Sequence, residues 1–183
     1  MRGLEYADNH SRLNALYYMQ DPWGFADARE EKRFTETNRI LLREFGQVGS
    51  LLELGCAEGH QSAYLMRICR QLYGLDVSAK AVRRAKRRCP GARFEVGDLT
   101  SALRFPGAPE RFDVVVACEV LYYVGDVALT LQRLAELGRT SLVTYYSVHR
   151  ERLDKELASV KFASQETIHS QDRSWSVVWW RND

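Results

Sequence analysis

The stretch from Leu51 to Asp76, LLELGCAEGHQSAYLMRICRQLYGLD, constrains the fold more than any other. Leu51-Leu52-Glu53-Leu54 is too brief for a helix and runs into a glycine, which predicts a buried strand of a parallel sheet. Gly55-Cys56-Ala57-Glu58-Gly59 follows as a compressed glycine-rich turn. Its first glycine lets the chain turn sharply off the strand, and the small Ala57 lets a ligand approach backbone N–H groups closely. From Gln61 the spacing becomes helical, with Ala63, Leu65-Met66, Cys69 and Leu72-Tyr73 on one side. A second apolar segment, Leu72-Tyr73-Gly74-Leu75, ends in Asp76, about twenty residues past the first glycine, where an acid can hydrogen-bond both hydroxyls of a ribose. Strand, glycine turn, helix, strand and acid make half of a nucleotide-type site.

Turns of this kind serve NAD, FAD and S-adenosylmethionine alike. A dinucleotide site sets a pyrophosphate on the helix N-terminus and wants a third glycine for close helix packing, a position held here by His60. An acid, Glu53, stands two residues before the first glycine. E-x-G-x-x-x-G followed by a strand-end acid resembles the first motif of the class I S-adenosylmethionine-dependent methyltransferases.

With 183 residues, 45% of them apolar, the chain is long enough for one substantial core. Its net charge of +2 supplies no global field that would select a polyanionic partner. Cys56, Cys69, Cys89 and Cys118 fall in apolar segments with no C-x-x-C pair, and read as reduced core thiols, with no metal site expected. The N-terminus lacks a signal-peptide core and no apolar run approaches membrane-spanning length, so a cytoplasmic protein without membrane contact is expected. None of these features encodes an oligomeric state.

Along the chain, the aromatic-rich N-terminal stretch contains Tyr17, Tyr18 and Trp23, which either close over a bound cofactor as a lid or cap the hydrophobic edge of the sheet. The expected organisation is a lid over 1–26 and a Rossmann-like core over 27–183. Asp27 to Phe45 is helical, with Phe34, Asn38, Leu41-Leu42 and Phe45 on one face and Arg29-Glu30-Glu31-Lys32-Arg33 mostly solvated. Ser78 to Cys89 is a second amphipathic helix. Its basic ridge of Lys80, Arg83, Arg84, Lys86, Arg87 and Arg88 has no interleaved stacking aromatics, which disfavours nucleic acid as a partner. Ala92 to Val96 reads as a strand ending at Gly97-Asp98-Leu99; Asp98 there can accept from an adenine amine or cap a following helical turn.

Phe112 to Cys118 is an uninterrupted β-branched run of the kind buried on both faces. Glu119, Tyr122 and Tyr123 follow it, at the carboxyl end of a parallel strand where ligand crevices lie. A helix from Asp126 to Leu137, a strand from Ser141 to Ser147, a helix from His149 to Val160, and strands from Phe162 to Ile168 and Ser174 to Arg181 complete the chain. The last two are too closely linked for a crossover and should pair antiparallel. The sum is an α/β, Rossmann-like class I methyltransferase fold, a seven-stranded, mostly parallel sheet with one antiparallel strand.

Within that class the chain resembles the NodS-type N-methyltransferases, which modify a glucosamine nitrogen on nodulation lipo-oligosaccharides. The likeness rests on Asp21-Pro22-Trp23, the Glu- and Arg-rich helix after it, Leu52-Glu53-Leu54-Gly55-Cys56-Ala57 and Glu119-Val120-Leu121-Tyr122-Tyr123. It implies S-adenosyl-L-methionine as cofactor, leaving as S-adenosyl-L-homocysteine. It also implies a cofactor site of Glu53, Gly55, Cys56, Ala57, Gly59, Asp76, Val77, Asp98, Leu99 and Glu119, with Trp23 in the lid. Leu137-Gly138-Arg139-Thr140 replaces the usual Pro-Gly-Gly turn, and the short region between the fifth and sixth strands suggests an open acceptor site for a small-molecule or carrier-presented amine. An amine must lose a proton before it attacks, and Glu119, Tyr122, Tyr123 and His149 are the catalytic candidates; His10, His60 and His169 are less well placed. For His149 the alternative is a surface residue at a helix start, and one of Tyr122 and Tyr123 is expected to pack in the core. Two other functions fit the same residues: O-methylation of a hydroxylated metabolite, and a non-catalytic cofactor- or RNA-binding domain.

Overall fold

The computed structural model describes residues 10–98, 105–161 and 163–182. Seven strands form one sheet in the order β3-β2-β1-β4-β5-β7-β6. They are β1 (Val48–Leu54), β2 (Cys69–Asp76), β3 (Arg93–Val96), β4 (Phe112–Cys118), β5 (Gly138–Tyr146), β6 (Ser164–Ser170) and β7 (Arg173–Arg181). All neighbours from β3 to β5 pair in parallel, while β7 runs against both β5 and β6. The single reversed strand is the one expected from the short β6–β7 link. Leu99 and Phe162 lie outside the described residues, as does the turn that Asp98 was expected to cap.

β4 is central because its side chains have nowhere polar to point: Val114, Val115, Val116 and Ala117 are at most 1% exposed, and each buried valine contributes roughly 1.5–3 kcal/mol. Alternate residues feed opposite faces. Val115 and Ala117 join Leu52, Leu54 and Val143 beneath α5 (Val127–Leu137) and α6 (Arg150–Leu157). Val114 and Val116 join Leu51, Leu72 and Leu142 beneath α2 (Ala28–Phe45) and α3 (Ser62–Leu65). The helix α4 (Ala79–Arg88), capped by Ser78, buries Ala81, Val82 and Ala85, the latter two against Cys56 and Phe94. The short helix α1 (His10–Leu16) precedes the roof described below.

Three sequence expectations are corrected. The helix after the glycine turn closes at Leu65, and Cys69, Leu72 and Tyr73 belong to β2 instead. Their i, i+3, i+4 spacing is helical, but Leu72 to Asp76 is a run buried on both faces, and pairing with β1 makes it a strand. On α2, Leu42 is 42% exposed, whereas Arg33 and Glu30 are 1% and 5% exposed, so the charge run is not wholly solvated. Arg33 donates to Glu30 at 2.8 Å and to Gln61 at 2.7 Å, partners that make burial of the charge tolerable. β5 begins at Gly138, three residues before Ser141, because the chain leaves α5 directly into the strand.

Candidate active site

The carboxyl ends of β1, β2 and β4 open into one cavity of about 680 Å³. Its first wall is the glycine turn. Gly55 has φ +72°, a left-handed conformation costly for other residues, and a Cβ there would overlap Val120. Ala57 also has positive φ, 46°, despite its side chain. The amides of Gly55 and Cys56 both donate to the Leu75 carbonyl, at 2.8 and 3.0 Å, which hooks the turn onto β2. Asp76 completes this wall: its Oδ2 accepts from the Ala57 amide and its Oδ1 from the Ser78 amide, each at 2.9 Å. Burial pushes this carboxyl up to about 6, while the two amides hold it down.

Trp23, Gly55, Ala57, Asp76, Val77, Asp98 and Glu119 line the cavity, whereas Glu53, Cys56 and Gly59 stand behind its wall. Glu53 is fully buried and accepts from the Ser62 hydroxyl, and burial raises its carboxyl to about 8. It braces the start of α3. Gly59 lies against α4, where a Cβ would come within 3.1 Å of Ala85 Cα. Cys56 packs with Val82 and Phe94.

The opposite wall comes from the end of β4. Glu119, also in a left-handed conformation at φ 60°, accepts from Tyr122 Oη and from Thr144 Oγ1, both at 2.9 Å. Burial raises its pKa and the nearby Arg33 guanidinium lowers it. Strained backbone held by three elements points to function at this position. Tyr122 and Tyr123 both line the cavity, so neither is simply core: Tyr122 is 8% exposed and its pKa is driven well up by burial, while Tyr123 packs on Trp23 at 5.2 Å. His149 also lines the cavity, its ring stacked 4.3 Å from Tyr122, and burial lowers its pKa, so the imidazole is neutral near pH 7.

A third wall comes from residues 17–25, the roof of the cavity. Tyr17, 4% exposed, and Trp23 line the cavity, with Trp23 Nε1 donating to Tyr17 Oη at 3.0 Å. Tyr18 does not belong to it, being 76% exposed with its ring under Lys80. Other lining residues were either set aside by the sequence reading, as His10 and Glu30 were, or not singled out by it. His10 reaches Asp98 at 3.1 Å, and Phe25, Glu30, Arg173 and Trp175 close the far end, where Arg173 pairs with Glu30 at 3.3 Å. The Arg173–Glu30 pair joins residues 143 positions apart, a signal absent from any local window. His60 and His169 do not line the cavity. Among the described residues no group of three His, Cys, Asp or Glu side chains is arranged for a metal ion, and no helix is long and apolar enough to cross a membrane.

This arrangement can be compared with known proteins. Residues 52–140 match the family described as Methyltransferase domain. Nodulation protein S of Bradyrhizobium diazoefficiens is 33% identical over 121 residues, 66% of this chain and 57% of that protein. Ubiquinone biosynthesis O-methyltransferase of Nitrobacter winogradskyi is 32% identical over 87 residues, 48% of this chain and 33% of that protein. The chain thus spans little more than half the length of the curated nodulation proteins it matches. Among solved structures, N-methyltransferase NodS from Bradyrhizobium japonicum in complex with S-adenosyl-L-homocysteine superposes with a TM-score of 0.80 at 22% identity, covering 96% of this chain and 98% of that one. Residues 52–140 thus match a methyltransferase domain, and the chain shares the fold of the NodS N-methyltransferase structure, with Nodulation protein S among its relatives.

Proposed function

We propose that this protein transfers a methyl group from S-adenosyl-L-methionine to the nitrogen of a small-molecule or carrier-presented amine. The observation that carries the reading is that one cavity joins the Asp76 wall to the Glu119, Tyr122 and His149 wall. The residues present fit the cofactor. A volume of about 680 Å³ suits a ligand of that size with an acceptor beside it. Each Asp76 oxygen accepts one backbone N–H and keeps a further lone pair for a ribose hydroxyl. Gly55 and Ala57 let backbone approach the amino-acid portion, Val77 and Asp98 flank the adenine side, and Trp23 covers the site as part of a lid formed by the N-terminal segment.

When bound, the cofactor supplies an electrophilic methyl on a good leaving group, so most of the chain's task is placement. Glu119 is held by Tyr122 and Thr144 so that its carboxylate faces the cavity, and its raised pKa suits it to take a proton from an ammonium. The neutral imidazole of His149 is a second acceptor at the same wall. Tyr17, Trp23 and Tyr123 exclude water above the reacting atoms.

Similarity to the nodulation proteins, longer than that to the ubiquinone O-methyltransferases, supports nitrogen over oxygen as acceptor. Incubation with methyl-labelled cofactor and matched panels of amines and alcohols tests this. Label on nitrogen is expected. Label on hydroxyls alone would replace the reading with O-methyl transfer, and tight S-adenosyl-L-homocysteine binding without any transfer would make the chain a binding domain.

A further inference from the structure

Glu58 sits inside the glycine turn, yet it does not line the cavity and is only 3% exposed. A buried carboxylate must be fully partnered, and its partners come from two other parts of the fold. Both of its oxygens accept from the Asp21 amide, at 3.2 and 3.1 Å. Oε1 also accepts from Arg84 on α4. The same Arg84 nitrogen donates to the Met19 carbonyl at 2.8 Å, and Arg88 donates to the Glu58 carbonyl at 2.9 Å.

Asp21, so held, adopts φ 45°, and its own carboxylate accepts from the amides of Phe25 at 2.7 Å and Ala26 at 2.9 Å. The segment between, Pro22-Trp23-Gly24, is thereby fixed as a compact turn whose Trp23 ring reaches Tyr17 and Tyr123 above the cavity. We propose that Glu58 is a positioning residue, which with Arg84 clamps the Asp21 turn to the glycine turn and so sets the Trp23 roof over the cofactor site. The clamp makes roof position a property of the very loop that the cofactor touches: a ligand that orders residues 55–59 orders residues 19–26 through one carboxylate.

Two measurements on the full chain test it. The first needs no ligand: in Glu58→Gln the amides of Phe25 and Ala26 should exchange hydrogen faster than in the wild type, while β4 amides stay protected. Arg84→Gln, which removes the same ion pair from its more exposed partner, should reproduce the effect if Glu58→Gln proves too unstable to handle. Unchanged exchange at both amides in folded variants overturns the clamp. The second rests on the proposed cofactor reading. Glu58→Gln should weaken S-adenosyl-L-homocysteine binding about tenfold, and do so no further once Trp23 is already alanine, since the two changes remove one coupled unit. Additive losses would mean that Glu58 acts on the turn directly and would overturn the roof-setting role. Wild-type protein that binds no S-adenosyl-L-homocysteine would sink the cofactor reading while the exchange result still decides the clamp.

Discussion

At one end of the cavity Asp76 is held by the amides of residues 19 and 2 positions away; at the other, Glu119 is held by Tyr122 and by Thr144, 25 positions away, against Arg33 from α2. The first wall is made of backbone and one acid, all within β1, the glycine turn, β2 and the turn into α4. The second is made of side chains from the turns after β4 and β5 and from β5, α2 and β7, each needing the finished sheet to reach its place. A backbone site asks little of side-chain identity and suits a common cofactor. A side-chain site suits an acceptor that differs from one enzyme to the next.

That division makes quantitative claims. Asp76→Ala should be the largest, weakening S-adenosyl-L-homocysteine binding by about 10³-fold, since two hydrogen bonds to a charged group are lost; calorimetric titration reads it. Glu119→Gln should leave that affinity within a few-fold and lower methyl transfer by about 10²-fold, as expected of a lost proton acceptor. If both variants lost cofactor affinity alike, the walls would not be separate.

Glu53 supports the first wall from behind, and its effect should appear in stability. Its carboxyl is raised to about 8 from an ordinary 4.5, so the folded chain binds the proton more tightly than the unfolded one. The stability this group contributes is present at low pH and declines as pH rises from about 4.5 to about 8, over a range on the order of 5 kcal/mol. Thermal melts of Glu53→Gln should show a flatter pH profile than the wild type in that window. Asp76 gives a smaller effect of the opposite sense on binding: with its carboxyl at about 6, affinity for S-adenosyl-L-homocysteine should hold above that pH and fall up to about tenfold per unit below it. Asp76→Asn should abolish this dependence. Smallest of all, Tyr18→Ala should leave the melting temperature and the binding isotherm at their wild-type positions, because this exposed ring lies outside the roof.

The same contrast explains what could be read from the chain beforehand. The strands, the helix starts near Asp27, Ser78 and Asp126, and Asp76 were legible because each is announced within a few residues, by β-branched runs, helix-start residues or a glycine turn. The extent of α3 was not, since Cys69 and Leu72-Tyr73 keep helical spacing inside a strand that is buried on both faces and so shows no alternation. Glu30 and Arg33 looked like ordinary surface charge, and only Gln61 and Arg173 show why they are buried. Glu53 looked like a cofactor contact from its motif position, but strand alternation points it at Ser62, away from the cavity. His149 reached the cavity through Tyr122, a neighbour that no spacing rule supplies.

The central claim is that one molecule spans both walls, its ribose on Asp76 and its sulfur facing Glu119. A crystal structure of the chain with S-adenosyl-L-homocysteine bound tests this most directly. It should show both ribose hydroxyls on the Asp76 carboxylate and the sulfur directed toward the space between Glu119, Tyr122 and His149. A ribose held elsewhere, or a sulfur turned away from that wall, would contradict the account.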